Sequence, residues 1–217
     1  MRRMIASILH TFRRGGVQGL LEIGRAAAHH EASLVRWRLD LAHWSPSGPA
    51  PDALDVRRGT IDELSQFRRT WRGEPLTSEF LTDRIDGTKW FYLGRWDGAV
   101  AHILWIYEPG TRTPLLTLGP GEVEIRRVYT MRAYRGRRIF THALNSVLAD
   151  LRDAGVEVAW AHVRVDNDAS ARAFAAAGFV PVGTVRHTKL LGVTRVRFRR
   201  EVPMRYRASD ISETISR

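Results

Sequence analysis

Apolar positions in the first 43 residues recur at helical intervals. Ile5, Ile8, Leu9 and Phe12 form one set, Val17, Leu20, Leu21 and Ile23 a second after Gly15-Gly16, and Leu34, Trp37 and Leu41 a third. Residues three and four apart share a helix face, so this spacing predicts helices over 1–43 with arginines on the polar side. SPSGPAP, residues 45–51, carries three prolines and a glycine and reads as a linker. Beyond it the pattern alternates between strand and helix. Residues 54–58 read as a short strand, and Thr60-Ile61-Asp62-Glu63 is a capping box that opens a helix running to about Trp71. A second helix is expected over 78–86. Residues 90–96 and 99–107 form a hairpin about Asp97-Gly98, and 122–131 is a long strand. Residues 139–154 give the clearest helix, with Phe140, Ala143, Leu144, Val147, Leu148 and Leu151 on one face and Gly155 at its end. A buried strand at 156–165, an alanine-rich helix at 168–177 and strands near 180–186 and 192–200 complete the order. That order predicts the α/β class: a mixed sheet with helices on both faces, plus an N-terminal helical extension. Three segments are expected: 1–51, a basic helical extension and proline-rich linker; 52–207, the α/β domain; and 208–217, a polar tail.

Charge changes the picture. Thirty-four Lys and Arg face 23 Asp and Glu, a formal net charge of +11. Such a balance points to an anionic partner: nucleic acid, acidic lipid or a phosphorylated small molecule. Cysteine is absent, which excludes disulfides, thiolate metal sites and a cysteine nucleophile and fits a reducing compartment. No metal site is expected. No apolar run approaches the ~18 residues of a membrane span. The basic start MRRMIASILHTFRRGG makes a poor signal peptide, so the expected location is cytoplasmic. Residues 1–43 either pack on the domain or lay a basic amphipathic face on anionic membrane lipid.

Candidate chemistry concentrates between residues 122 and 179. The strand VEIRRVYTM runs into the loop YRGRRIF and then into a helix. A helix N-terminus offers free N–H groups and partial positive charge, so it favours phosphate, and arginines beside it add bidentate donors. These pieces, followed by a strand ending at Asn167 and by NDASARAFAAAGF, resemble the GNAT superfamily of N-acetyltransferases over about residues 54–200, best over 122–183. The family stretch R-G-x-G-[ILA]-[GA] matches Arg135-Gly136-Arg137-Arg138-Ile139-Phe140. The pattern N-x-x-A-x-x-x-Y-x-x-x-G-F matches Asn167, Ser170, Phe174, Gly178 and Phe179. Arg138 and Phe140 stand where the family prefers small residues. Phe174 stands where many relatives carry a tyrosine that protonates the leaving thiolate; a phenyl ring cannot donate a proton.

The resemblance implies that residues 52–207 are a GNAT-like acyltransferase domain with acetyl-CoA as co-substrate. A substrate amine would attack the thioester directly, in a ternary complex. It places the pyrophosphate at Arg135 to Phe140, the acetyl carbonyl and pantetheine arm along Val128, Tyr129 and Thr130, and Asn167 against the same arm. Asn167 also reads as a helix N-cap. Glu124 or Glu122, two apart on one strand face, would be the base; a carboxylate buried beside apolar neighbours has a raised pKa that suits this role. Both glutamates equally read as partners of Arg126. Tyr129 or His162 would return the final proton. The acceptor expected is a small-molecule primary amine, with an amino sugar or nucleotide sugar as the narrower class. Expected partners also include anionic membrane through residues 1–43 and a second copy of the chain as a homodimer. Two alternatives stay open: a basic nucleic-acid-binding protein, although no recognition-helix or RNA-binding signature is present, and a non-catalytic GNAT-like adaptor at a membrane.

Overall fold

Beyond residue 28, the segment whose apolar spacing predicts helix is a strand. The computed structural model describes residues 29–46, 48–111, 113, 115–190 and 193–206. In it His29–Asp40 forms β1, antiparallel between β6 (Val158–Arg164) and β7 (Val180–Leu190). The helical expectation over 29–43 is therefore wrong, and the reason is a period misread. Leu34, Trp37 and Leu41 fit a helix, but Val35, Trp37, Leu39 and Leu41 also alternate strictly with Arg36, Arg38 and Asp40. A helix would scatter the four alternating apolar residues over two faces, whereas a strand places them all on one side. All four are buried. The helices expected over residues 1–28, with their membrane-facing set Ile5, Ile8, Leu9 and Phe12, lie outside the described residues, as does the tail 208–217.

The remaining elements follow the predicted order. β2 (Leu54–Arg58) leads into α1 (Ile61–Thr70), where the capping box forms: Glu63 N donates to Thr60 Oγ1 at 3.2 Å and Thr60 N donates to Glu63 Oε2 at 3.0 Å. The expected helix at 78–86 is split into a 3₁₀ turn, Ser78–Leu81, and the short α2, Thr82–Ile85. β3 (Phe91–Trp96) and β4 (Ala99–Tyr107) form the hairpin, with left-handed φ of 48° at Asp97 and 79° at Gly98 as its turn demands. β5 (Glu122–Thr130), α3 (Ile139–Asp153), β6, α4 (Asp168–Ala176), β7 and β8 (Val193–Arg199) follow.

The sheet order is β2-β3-β4-β5-β6-β1-β7-β8. Every neighbouring pair is antiparallel except β5 and β6. Helices cover both faces, as predicted. α3 and α4 pack on one face over Val35, Trp37, Leu39, Ile125 and Ala161. α1 and the 78–85 segment cover the other, over Phe91, Ile103, Trp105 and Tyr107. Among the described residues no helix is long and apolar enough to cross a membrane.

Two features of β5 position the site. Its pairing with β6 runs from Glu122↔Val158 to Ile125↔Ala161 and stops there, although both strands continue. Its register with β4 shifts between Ile103 and Trp105, and Arg127 sits at a φ of 49°, a bulge that re-aims the last residues of the strand.

Candidate active site

Where β5 loses β6, a cavity of about 1020 Å³ opens. Val128, Tyr129 and Thr130 form one wall. Arg135, Gly136 and Arg138 belong to the loop, Ile139 and Phe140 to the first turn of α3, and Asn167 to the start of α4. The structure thus gathers nine residues of the sequence-derived binding set around one space. Arg137 and Phe174 are not on the wall. The Arg137 guanidinium lies 5.1 Å from the Trp96 ring centre and 5.7 Å from that of Tyr134. Phe174 is core, edge-on to Phe140 at 5.2 Å and to Phe179 at 5.0 Å.

The loop geometry fits an anion. Gly136 has a φ of 80°, and among the described residues none beyond its chain neighbours places an atom within 4 Å of where a Cβ would stand. Arg138 is the N-cap of α3 at a φ of 55°, with no side-chain cap. A non-glycine residue holds that left-handed backbone at a cost of about 1–2 kcal/mol. The first helical bond recorded is His142 N to Arg138 O at 3.2 Å. The N–H groups of Ile139, Phe140 and Thr141 precede any intrahelical acceptor and are therefore donors available to a ligand. Asn167 caps α4, accepting from Ser170 N at 3.1 Å, so it serves the helix while it faces the cavity. Trp37 and Tyr206 also line the space. The sequence points to neither, because the helical spacing puts Trp37 on a helix and Tyr206 belongs to no motif.

A buried polar cluster occupies the face of the sheet that carries α1. Glu124 is fully buried and accepts from His162 Nδ1 at 2.7 Å. Arg126 Nε stands 3.6 Å from the same Oε1. Arg36 of β1 donates from Nε to His162 Nε2 at 3.0 Å and from Nη2 to Leu115 O at 2.7 Å. Glu124 Oε2 has no hydrogen-bond partner among the described residues. Glu122 is elsewhere: its carboxylate accepts from Gly119 N at 2.8 Å and closes the turn ahead of β5. Tyr129 reaches the cavity wall, edge-on to Phe80 at 6.1 Å, with the Arg135 guanidinium 5.5 Å from its ring centre. Arg127 is tied to Asp86 at 3.3 Å, and the Tyr107 hydroxyl donates to the same carboxylate at 2.5 Å. Burial first, then that hydrogen bond, holds the Tyr107 hydroxyl well above the usual phenol range.

His102 underlies the cavity. Its ring stacks on Phe140 at 5.6 Å, and its Nδ1 lies 2.8 Å from Thr130 Oγ1. Burial pushes its pKa down to about 3. The native state therefore refuses a proton that the unfolded chain takes near pH ~6.5. Stability from His102 is fully present above that pH and is lost as pH falls toward 3, by about 1.4 kcal/mol per pH unit. Denaturant titrations at pH 7, 5.5 and 4.5 should show His102→Asn losing less stability on acidification than the parent. Parallel pH dependences would rule this out.

Comparisons with known proteins agree with this architecture. A GCN5-related N-acetyltransferase from Kribbella flavida superposes with a TM-score of 0.53 at 15% identity, over 81% of this chain and 65% of that one. One from Sphaerobacter thermophilus gives 0.53 at 16% identity, over 82% and 57%. A fungal GCN5-related glucosamine N-acetyltransferase region, part of a multi-domain GH3 β-N-acetylglucosaminidase, gives 0.55 at 14% identity, over 79% and 23%. The chain thus spans less than two thirds of each structure's own length, and at these identities the likeness is one of fold. No curated protein sequence matches the chain. The model of the acetyltransferase (GNAT) family matches residues 60–179, from α1 through the loop around Gly136 to the end of the Asn167 pattern. With more than half of its residues inside that match, the chain belongs to the acetyltransferase (GNAT) family.

Proposed function

We propose that this protein is an acetyl-CoA-dependent N-acetyltransferase that acylates a primary amine of a small molecule by direct attack in a ternary complex. The family uses acyl-CoA as co-substrate. The observation that carries the reading is the cavity bounded by the uncapped start of α3, Gly136, Arg135 and Arg138. In this reading the N–H groups of the first α3 turn and the two guanidiniums hold the pyrophosphate. Val128 to Thr130, beyond the last pairing of β5 with β6, present backbone to the pantetheine arm and the acyl carbonyl. Acyl-CoA, when bound, supplies the activated acyl group.

Glu124 takes the amine proton, through the carboxylate oxygen that has no hydrogen-bond partner among the described residues. His162 has both ring nitrogens engaged, so Tyr129 on the cavity wall is the better donor of the returning proton. For the acceptor we keep the amino-sugar class, which has support of fold only from the glucosamine N-acetyltransferase region. Peripheral contact with anionic membrane is proposed for residues 1–28 alone, from their basic amphipathic pattern.

Gly136→Val tests the cofactor assignment. At a φ of 80° a β-branched side chain strains the loop and stands where phosphate would approach. Acetyl-CoA affinity measured by calorimetry should fall about tenfold or more, roughly 1.4 kcal/mol. Unchanged affinity with the fold intact would remove the assignment. An amine panel monitored by thiol release separates the enzyme from a nucleic-acid binder or an inert adaptor, because only the enzyme releases CoA when an amine is present.

A further inference from the structure

We infer that Arg36 is a positioning residue for the acyl transfer: it fixes the tautomer of His162 and thereby holds Glu124 in the orientation of a base. The inference rests on the reading of Glu124 as base. It adds a residue from β1, a strand that lies outside the family-matched region 60–179.

Three strands contribute one side chain each. Arg36 and His162 are register partners across β1 and β6, and β6 lies parallel to β5, which carries Glu124. Arg36 Nε is a donor at every accessible pH, because guanidinium has no acceptor lone pair and does not deprotonate in proteins. At 3.0 Å from His162 Nε2 it requires a lone pair on that nitrogen. Nε2 therefore carries no hydrogen. The imidazole hydrogen sits on Nδ1, and Nδ1 donates to Glu124 Oε1 at 2.7 Å. An Nε2–H tautomer would set two donors against each other on one side and a lone pair against a carboxylate on the other.

Arg36 is itself held at two further points. Its Nη2 donates to Leu115 O at 2.7 Å, and its guanidinium lies 4.4 Å from the Phe198 ring centre. The result is a directional chain from Arg36 through His162 to Glu124 Oε1. With Arg126 3.6 Å from that same oxygen, Oε2 has no hydrogen-bond partner among the described residues, on a side chain with no solvent exposure. One oxygen is thus anchored and the other remains to take a proton. Without Arg36, His162 can exchange tautomers or rotate, and Glu124 loses its fixed rotamer.

The test is nitrogen-15 NMR on histidine-labelled full-length protein, combined with steady-state kinetics. In the parent at neutral pH, His162 should show the Nδ1–H tautomer, with Nε2 shifted as an unprotonated nitrogen. In Arg36→Met the signal should move to a tautomer mixture. Turnover should drop about tenfold, while acetyl-CoA affinity stays within twofold. Arg36→Lys, which keeps a donor, should restore part of both the tautomer and the turnover. An Nε2–H tautomer or an imidazolium in the parent overturns the inference without any variant, even if Arg36→Met fails to fold. An unchanged tautomer, or unchanged turnover, in a folded Arg36→Met overturns it too. Failure of the base assignment reads differently: Glu124→Gln would leave turnover intact, while the His162 tautomer still reports whether Arg36 sets it.

Discussion

Replacing Glu124 by glutamine is expected to lower turnover on the order of 10²- to 10⁴-fold while leaving acetyl-CoA affinity unchanged. The substitution preserves the volume of a fully buried side chain and keeps an oxygen able to accept from His162 Nδ1 at the present 2.7 Å. What it removes is the ability to take a proton. The cavity that would hold the cofactor is lined by neither Glu124 nor His162, so acetyl-CoA affinity should not register the substitution. Glu122→Gln is the control, because that carboxylate only closes the turn at Gly119. Single-turnover measurements of acyl transfer with a saturating amine distinguish chemistry from product release. Small, equal effects from both substitutions would reassign proton removal to water or to the substrate itself.

Trp37→Ala should cost about 3–5 kcal/mol of stability, the usual range for deleting a buried large aromatic. Trp37 has no exposed surface, lies in the core beneath α3 and α4, and meets Tyr206 edge-on at 5.7 Å. Its indole nitrogen has no hydrogen-bond partner among the described residues, so the loss is one of packing. Typical domains are stable by only about 5–15 kcal/mol, so the change should be obvious in equilibrium unfolding. A paired comparison discriminates strand from helix at this segment. On a helix Leu34 shares the buried face with Trp37 and Leu41; on a strand Val35 does. Val35→Ala should therefore destabilise more than Leu34→Ala, since Val35 is 1% exposed while Leu34 is only partly buried. The reverse order would contradict the central placement of β1.

Sequence alone determined most elements between residues 54 and 200, because their signals are local. The Thr60/Glu63 box, the Asp97-Gly98 turn and the apolar stripe of α3 are each decided by neighbours a few residues away, and each forms as predicted. The strand–glycine–helix junction around Gly136 was legible for the same reason, since its parts lie within a dozen residues. What only the tertiary structure decided is non-local. The segment 29–40 satisfies both a helical and a strand period in part; only the vacant backbone edges of β6 and β7, more than a hundred residues away, select the strand. The same pairing carries Arg36 to His162, 126 positions apart in sequence, and separates Glu124 from Glu122, which share a strand face but find different partners. Side-chain type and spacing can nominate such groups. Which of them meet depends on strand order and register, and those are set by the packing of the whole sheet.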